Sequence, residues 1–173
     1  MKFALLFALV LICGLASAES INVSNYNVVF NMSPKHEVTM PQSETFRNGT
    51  GVRENNEISI NTSAGFVVMV IGTSNFTDQR SVADVFETLP WTMGTDGHDF
   101  PQSIDIDNKT GWYTIYYINH IPTYAIAYYI LAPPGTDYYT APTGATAFGL
   151  MFSTMPLYDT ADFLRTLHIR PRT

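Results

Sequence analysis

Four histidines and fifteen carboxylate side chains are the groups with which this chain could bind a metal or move a proton. The run Asp96-Gly97-His98-Asp99 gathers three donors within four residues, a density suited to a divalent cation. Other ligands would have to complete the shell, and a solvated turn has the same composition. Asp105-Ile106-Asp107-Asn108 opens like a calcium loop, but Thr110 stands where that loop requires glycine and no glutamate closes it. No metal and no other cofactor is expected. For catalysis there is no G-x-S-x-G elbow, no H-E-x-x-H helix and no phosphate-binding glycine loop. His36, His98, His120 and His168 leave a Ser/His/Asp arrangement open, because its members need not be neighbours in sequence. Paired carboxylates for glycoside hydrolysis stay open on the same ground.

Two further patterns carry chemistry of a different kind. Trp112, Tyr113, Tyr116, Tyr117, Tyr124, Tyr128 and Tyr129 crowd two successive segments. Strand alternation puts Trp112 and Tyr116 on one face, with Tyr113, Ile115 and Tyr117 on the other. Trp112, Tyr116 and Tyr128 are the candidate ligand contacts of an aromatic platform for sugar rings or an apolar ligand. Cross-strand core pairs would read the same way. Asn22, Asn31, Asn48, Asn61, Asn75 and Asn108 each begin an Asn-x-Ser/Thr tripeptide, making them candidate glycosylation sites, and Asn48 and Asn108 sit in expected turns.

The elements that must position these residues are mostly strands. Residues 65–72 (GFVVMVIG) are apolar between their bounding glycines, which predicts a central strand. Segments 103–107, 111–119, 123–131 and 146–154 predict a meander, with turn chemistry at 107–111 and 119–122. The polar stretch 19–61 predicts short edge strands at 27–32 and 37–40. Val82, Val85, Phe86 and Leu89 fall at helical spacing behind Ser81 and ahead of Pro90, predicting an internal helix over 81–90. Prolines and glycines make 132–144 a loop. Asp159 or Thr160 is expected to cap a closing helix that buries Phe163, Leu164 and Leu167. Together these predict an α+β fold: an antiparallel sheet of six to seven strands, one internal helix and a C-terminal helix packed on it.

Compartment is read from the first eighteen residues. Behind Lys2, residues 3–16 are apolar or small, and Ala16-Ser17-Ala18 presents the small side chains that a signal peptidase accepts. Residues 1–18 therefore read as a signal peptide cut between Ala18 and Glu19, leaving 19–173 as a single domain. Fourteen residues fall short of the roughly 20 that cross a bilayer as a helix, so a retained anchor is the weaker alternative, and the cut protein is not expected to be an integral membrane protein. Cys13 is the sole cysteine and lies inside that segment, which removes disulfides and thiolate metal sites from the rest of the chain. Beyond the segment, eight Lys and Arg stand against fifteen Asp and Glu, and nucleic acid is not an expected partner.

The order of elements, with Asp162-Phe163-Leu164-Arg165-Thr166-Leu167-His168-Ile169 directly after a long strand, resembles the PsbP-like fold of small exported proteins. The opening Ile21-Asn22-Val23-Ser24-Asn25-Tyr26-Asn27-Val28-Val29-Phe30 resembles small secreted proteins of methanogenic archaea whose function is not established. The PsbP-like resemblance implies an accessory or binding protein rather than an enzyme, with no residue-level function attached. The expected function is thus a secreted or cell-surface, non-enzymatic binding or accessory protein, with an envelope component or a carbohydrate as partner. A small extracytoplasmic hydrolase and a structural surface glycoprotein are the alternatives.

Overall fold

The computed structural model describes residues 18–32, 35–48, 51–74, 94–131 and 146–173. In chain order these residues form β1 (Glu19–Val23), β2 (Tyr26–Phe30), β3 (His36–Asn48), β4 (Gly51–Thr62) and β5 (Gly65–Ser74). They continue with β6 (Gly97–His98), β7 (Gln102–Ile106), β8 (Lys109–Ile118), β9 (Ile121–Tyr129) and β10 (Thr146–Ser153). The helix α1 (Leu157–Thr166) and the strand β11 (His168–Pro171) complete the chain.

Local chemistry sets the meander. Asp107 and Asn108 have φ of 51° and 58°, and Asn119 and His120 have φ of 51° and 63°. Two successive left-handed residues make the turn whose twist matches that of antiparallel strands, and Asn and Asp tolerate it best among residues with a side chain. Ile106 is thereby placed opposite Lys109, and Ile118 opposite Ile121. Once these registers are set, alternation decides which face each side chain occupies.

All the pairings are antiparallel and fall into two sheets. The larger runs β3-β4-β5-β10-β9-β8-β6, with β7 sharing the outer edge of β8; the smaller runs β1-β2-β11. β5 lies inside the large sheet, where its β-branched run is flanked by β4 and β10. At Gly72 the ring of Phe148 crosses from β10 so closely that a Cβ would come within 2.1 Å of its Cζ. Gly65, at φ 145°, lies against the backbone of Thr154 and Met155.

One face of the large sheet supplies Ile58, Ile60, Val67, Met69, Ile71 and Ile126 to a continuous core. The small sheet covers it with Val23, Val28, Phe30 and Ile169, and α1 adds Phe163 and Leu164. Phe30 and Phe163 meet with ring centroids 5.4 Å apart at a tilted angle, a favourable aromatic geometry. A second buried cluster, Tyr116, Ala125, Ala127 and Tyr129, lies on the opposite face.

The expected α+β sandwich is corrected by this architecture. The protein is mostly β, built on two sheets rather than one of six to seven strands, and α1 is the single helix among the described residues. The internal helix expected over 81–90 lies outside the described residues. Nor does the chain close on a helix: at Leu167 the backbone turns extended (φ −72°, ψ 129°), and His168–Pro171 joins the small sheet beside β2. Apolar spacing at Phe163, Leu164 and Leu167 fits either outcome, and the β-branched Ile169 alternates into the core from a strand. In the N-terminal half, β3 and β4 run far longer than the short edge strand expected at 37–40. In β4 the inward positions Asn56, Ile58 and Ile60 include a buried asparagine, which weakens the apolar alternation. That asparagine is satisfied by the Ser43 hydroxyl at 2.7 Å.

Phe163→Ala removes the ring that joins α1 to β2. It is expected to cost about 3–5 kcal/mol of unfolding free energy in denaturant titration, the range for a buried aromatic cut to alanine. A change below about 1 kcal/mol would show that α1 is not part of the shared core.

A candidate binding groove beside helix α1

Helix α1 lies over the β7–β9 end of the large sheet without filling the space beneath it. A groove of about 310 Å³ remains. Ile104, Tyr113, Tyr124 and Ile126 form its sheet side, and Leu157, Thr160, Ala161 and Leu164 its helix side. Asp105 and Arg165 also line it. The volume falls at the lower end of the roughly 300–1,000 Å³ of small-molecule sites, and the mixture of an apolar lining with a few polar groups is what such sites use.

The helix is held at this height by hydrogen bonds rather than by the expected cap. Pro156 occupies the N-cap position and offers no side-chain bond. Thr160 is instead buried, with its hydroxyl 2.8 Å from Ser153 Oγ and donating to the Met155 carbonyl at 3.2 Å. At the other end Thr166 Oγ1 accepts the Asn31 amide at 3.0 Å and lies 3.1 Å from the Asn31 carbonyl. On the sheet side, Tyr113 donates its hydroxyl to Gln102 Oε1 at 3.0 Å. Arg165 pairs with Asp162 one turn back.

A second polar constellation binds the two sheets together. Asp107, in the β7–β8 turn, presents Oδ1 to His168 Nδ1 at 2.8 Å. Its Oδ2 accepts the Ile169 amide at 3.0 Å and the Lys109 ammonium at 3.4 Å. Tyr128 stands near this carboxylate, fully buried, and its hydroxyl has no hydrogen-bond partner. Burial first, and the Asp107 charge second, raise the Tyr128 pKa well above 10.0. Burial likewise pushes Tyr116 up to about 12 and raises Tyr26.

The candidate ligand contacts do not form one platform. Trp112 packs with Tyr116 on the face opposite the main core, whereas Tyr128 lies within that core. Tyr116 and Tyr128 are both buried. Among the candidate glycosylation sites, Asn22, Asn61 and Asn108 are exposed, although Asn22 Oδ1 accepts the Asn27 amide at 3.1 Å. Asn31 has its side-chain oxygen buried without a partner. Asn48 ends β3, and neither its side chain nor Asn75 falls within what is described. Ala18 is exposed ahead of β1, and Glu19 opens that strand, its carboxylate 2.7 Å from His36 Nε2. Among the described residues no group of three or more His, Cys, Asp or Glu is placed to hold a metal. Also among them, no helix is long and apolar enough to cross a membrane.

Tyr113, Tyr124 and Leu164 are individually legible in the sequence, but their meeting at the groove is not. The available signal was the cross-strand pairing of Tyr113 with Ile126 that the Asn119-His120 turn sets, together with the helical spacing of Leu157 and Leu164. In comparisons with known proteins, no family model, curated protein or solved structure matches the chain. They bring nothing to bear on the resemblance to the PsbP-like fold.

Replacing Tyr128 with Phe removes a buried hydroxyl that has no partner and keeps the ring. The variant is expected to match or exceed the parent in stability at pH 7, by up to about 1–3 kcal/mol. The parent should also weaken as pH rises above 10.0, because the unfolded chain sheds the tyrosine proton first. A raised folded pKa means stability present below the unfolded value and lost on the alkaline side, so the Phe variant should show a shallower decline. A large loss of stability at pH 7 would contradict this.

Proposed function

We propose that this chain is an exported, non-enzymatic binding or accessory protein that receives an apolar group of its ligand in the groove between α1 and β7–β9. The observation that carries this reading is the groove itself: an apolar hollow of about 310 Å³ with polar groups among its lining residues. Its sheet wall is fixed by hairpin register and its helix wall by the Thr160 and Thr166 bonds, so the hollow is formed before any ligand arrives. That lowers the ordering cost of binding. Export is supported by the secretory character of residues 1–18 and the small residues ahead of Glu19. The secreted or cell-surface setting is compatible with glycans at the exposed Asn22, Asn61 and Asn108, and with an envelope component or a carbohydrate among the partners.

The alternative of a small hydrolase has one observation in its favour. A buried carboxylate on His168 Nδ1 is how a general base is oriented. Yet among the described residues His168 bonds only Asp107, so no nucleophile is in place, and the same carboxylate is spent on the Ile169 amide. The binding reading is the better supported.

Indole serves as a neutral apolar probe. Titrated into the protein, it is expected to shift the methyl NMR signals of Leu157, Leu164, Ile104 and Ile126 together, and Ala161→Phe, which fills the groove, should abolish those shifts. Unchanged groove methyls at indole concentrations that saturate other weak apolar sites would contradict the reading.

A further inference from the structure

The sheet wall of the groove is part of a longer strip. One face of β8 and β9 carries three successive cross-strand pairs: Tyr113 opposite Ile126, Ile115 opposite Tyr124, and Tyr117 opposite Pro122. Tyr113, Tyr124 and Ile126 line the groove, and the same face then runs on to the hairpin tip. Exposure rises along it. Ile126 is buried, Tyr113, Ile115 and Tyr124 are half-buried, and Tyr117 and Pro122 are exposed. Beside Tyr117 the edge strand β6 places Gly97, and no atom lies within 4 Å of where a Gly97 Cβ would stand. The strip is therefore open at this edge. Tyr113 and Tyr117 lie four residues apart on one strand, roughly 13 Å, with Tyr124 one strand over and between them.

The polar chemistry of the strip is neutral. Tyr113 donates its hydroxyl to Gln102 Oε1 at 3.0 Å, which leaves the Gln102 amide NH2 to donate elsewhere. Among the described residues the hydroxyls of Tyr117 and Tyr124 carry no bond. The groove lining holds one acid, Asp105, and one base, Arg165, and the base is paired with Asp162. Aromatic carbon edged with hydroxyl and amide groups suits a ligand that is apolar on its faces and hydroxylated at its rim. A purely apolar chain would cover the free hydroxyls without bonding them. A polyanion would meet a protein with fifteen Asp and Glu against nine Lys and Arg, and a polycation would find a single carboxylate in the lining.

We propose that the strip Tyr113, Tyr124 and Tyr117, together with the groove, binds an extended neutral glycan of β-1,4-linked pyranose rings. Rings linked in this way present flat C–H faces to aromatic side chains and hydroxyls at their edges, and a strip that follows one strand suits a straight chain. One ring lies over Tyr113 and Tyr124 at the groove, and a later one over Tyr117, where Gly97 leaves room. The proposal rests on the groove being the ligand site. Tyr117, which does not line the groove, is what extends it. A proline-rich peptide docks in a groove that is aromatic-lined along its length, and the Tyr117 half of the strip has no second wall among the described residues.

The test compares cellohexaose, chitohexaose, decaproline and indole by methyl NMR. At least one of the two hexasaccharides is expected to shift the Ile115 and Ile126 methyls together with millimolar or tighter affinity, equally at about 50 and about 500 mM salt. Tyr117→Ala should weaken that binding about five-fold or more, and Tyr117→Phe, which keeps the ring, should weaken it less. Both variants should leave the indole shifts of the groove methyls unchanged, which a merely structural role for Tyr117 would not. Hexasaccharide binding that survives Tyr117→Ala at full affinity, or that fades with salt, would overturn the proposal, as would tighter binding of decaproline than of either sugar. If indole moves the groove methyls and neither hexasaccharide moves Ile115, the glycan is refuted while the groove remains a binding site. If none of the four probes acts, both readings fail.

Discussion

The carboxylate of Asp107 is where the two sheets are fastened, and the placement of α1 follows from it. A left-handed turn residue is exposed in most hairpins. Here the Asp107 side chain is only 6% exposed, because His168, the Ile169 amide and Lys109 surround it. A buried carboxylate is tolerated when its lone pairs are filled, and each hydrogen bond to a charged acceptor contributes about 1.5–3 kcal/mol. Two of the bonds, from His168 and Ile169, come from β11, the last strand, so they pin the chain end against the β7–β8 turn. With β11 pinned and β10 paired inside the large sheet, α1 must bridge from one to the other, and the groove is the space beneath that bridge.

Much of this was open to a reading of the sequence, for identifiable reasons. Asp107-Asn108 and Asn119-His120 declare their turns through residue types that tolerate positive φ, and the run 65–72 declares a central strand by being apolar at every position between its bounding glycines. The second sheet was not visible. Its strands are short, β1 is largely polar, and β11 has only Ile169 buried, so none carries a pattern long enough to stand apart from loop or helix. What assembles it is the long-range pairing of β2 with β11, between segments about 140 residues apart, and no local window contains that. The bond from Asp107 to β11 is equally non-local, since it spans 61 and 62 residues.

The candidate site shows the same division. Aromatic crowding in β8 and β9 was plain, but crowding does not say which rings reach solvent. Alternation separates Trp112 and Tyr116 from Tyr113, and only packing decides that Tyr116 and Tyr128 are enclosed while Tyr113 and Tyr124 border a hollow. Binding chemistry thus falls to residues that are half-buried at the junction of two elements. The fully buried tyrosines do structural work instead, Tyr128 lying against Gly149 and Gly111, where side chains would collide with it.

The small sheet, α1 and the core face of the large sheet share one core and are joined at Asp107, so they are expected to open as one cooperative unit. Native-state hydrogen exchange measures this most directly, because each amide reports the free energy of the opening that exposes it. The hydrogen-bonded amides of Val28, Ile169 and Leu164 are expected to exchange with the same opening free energy as those of Met69, Ile126 and Met151, and Asp107→Asn is expected to lower all of them together. If Val28, Ile169 and Leu164 opened at a distinctly lower free energy while the β5, β9 and β10 amides stayed protected, the small sheet and α1 would be a separate layer. The groove would then lack a fixed wall.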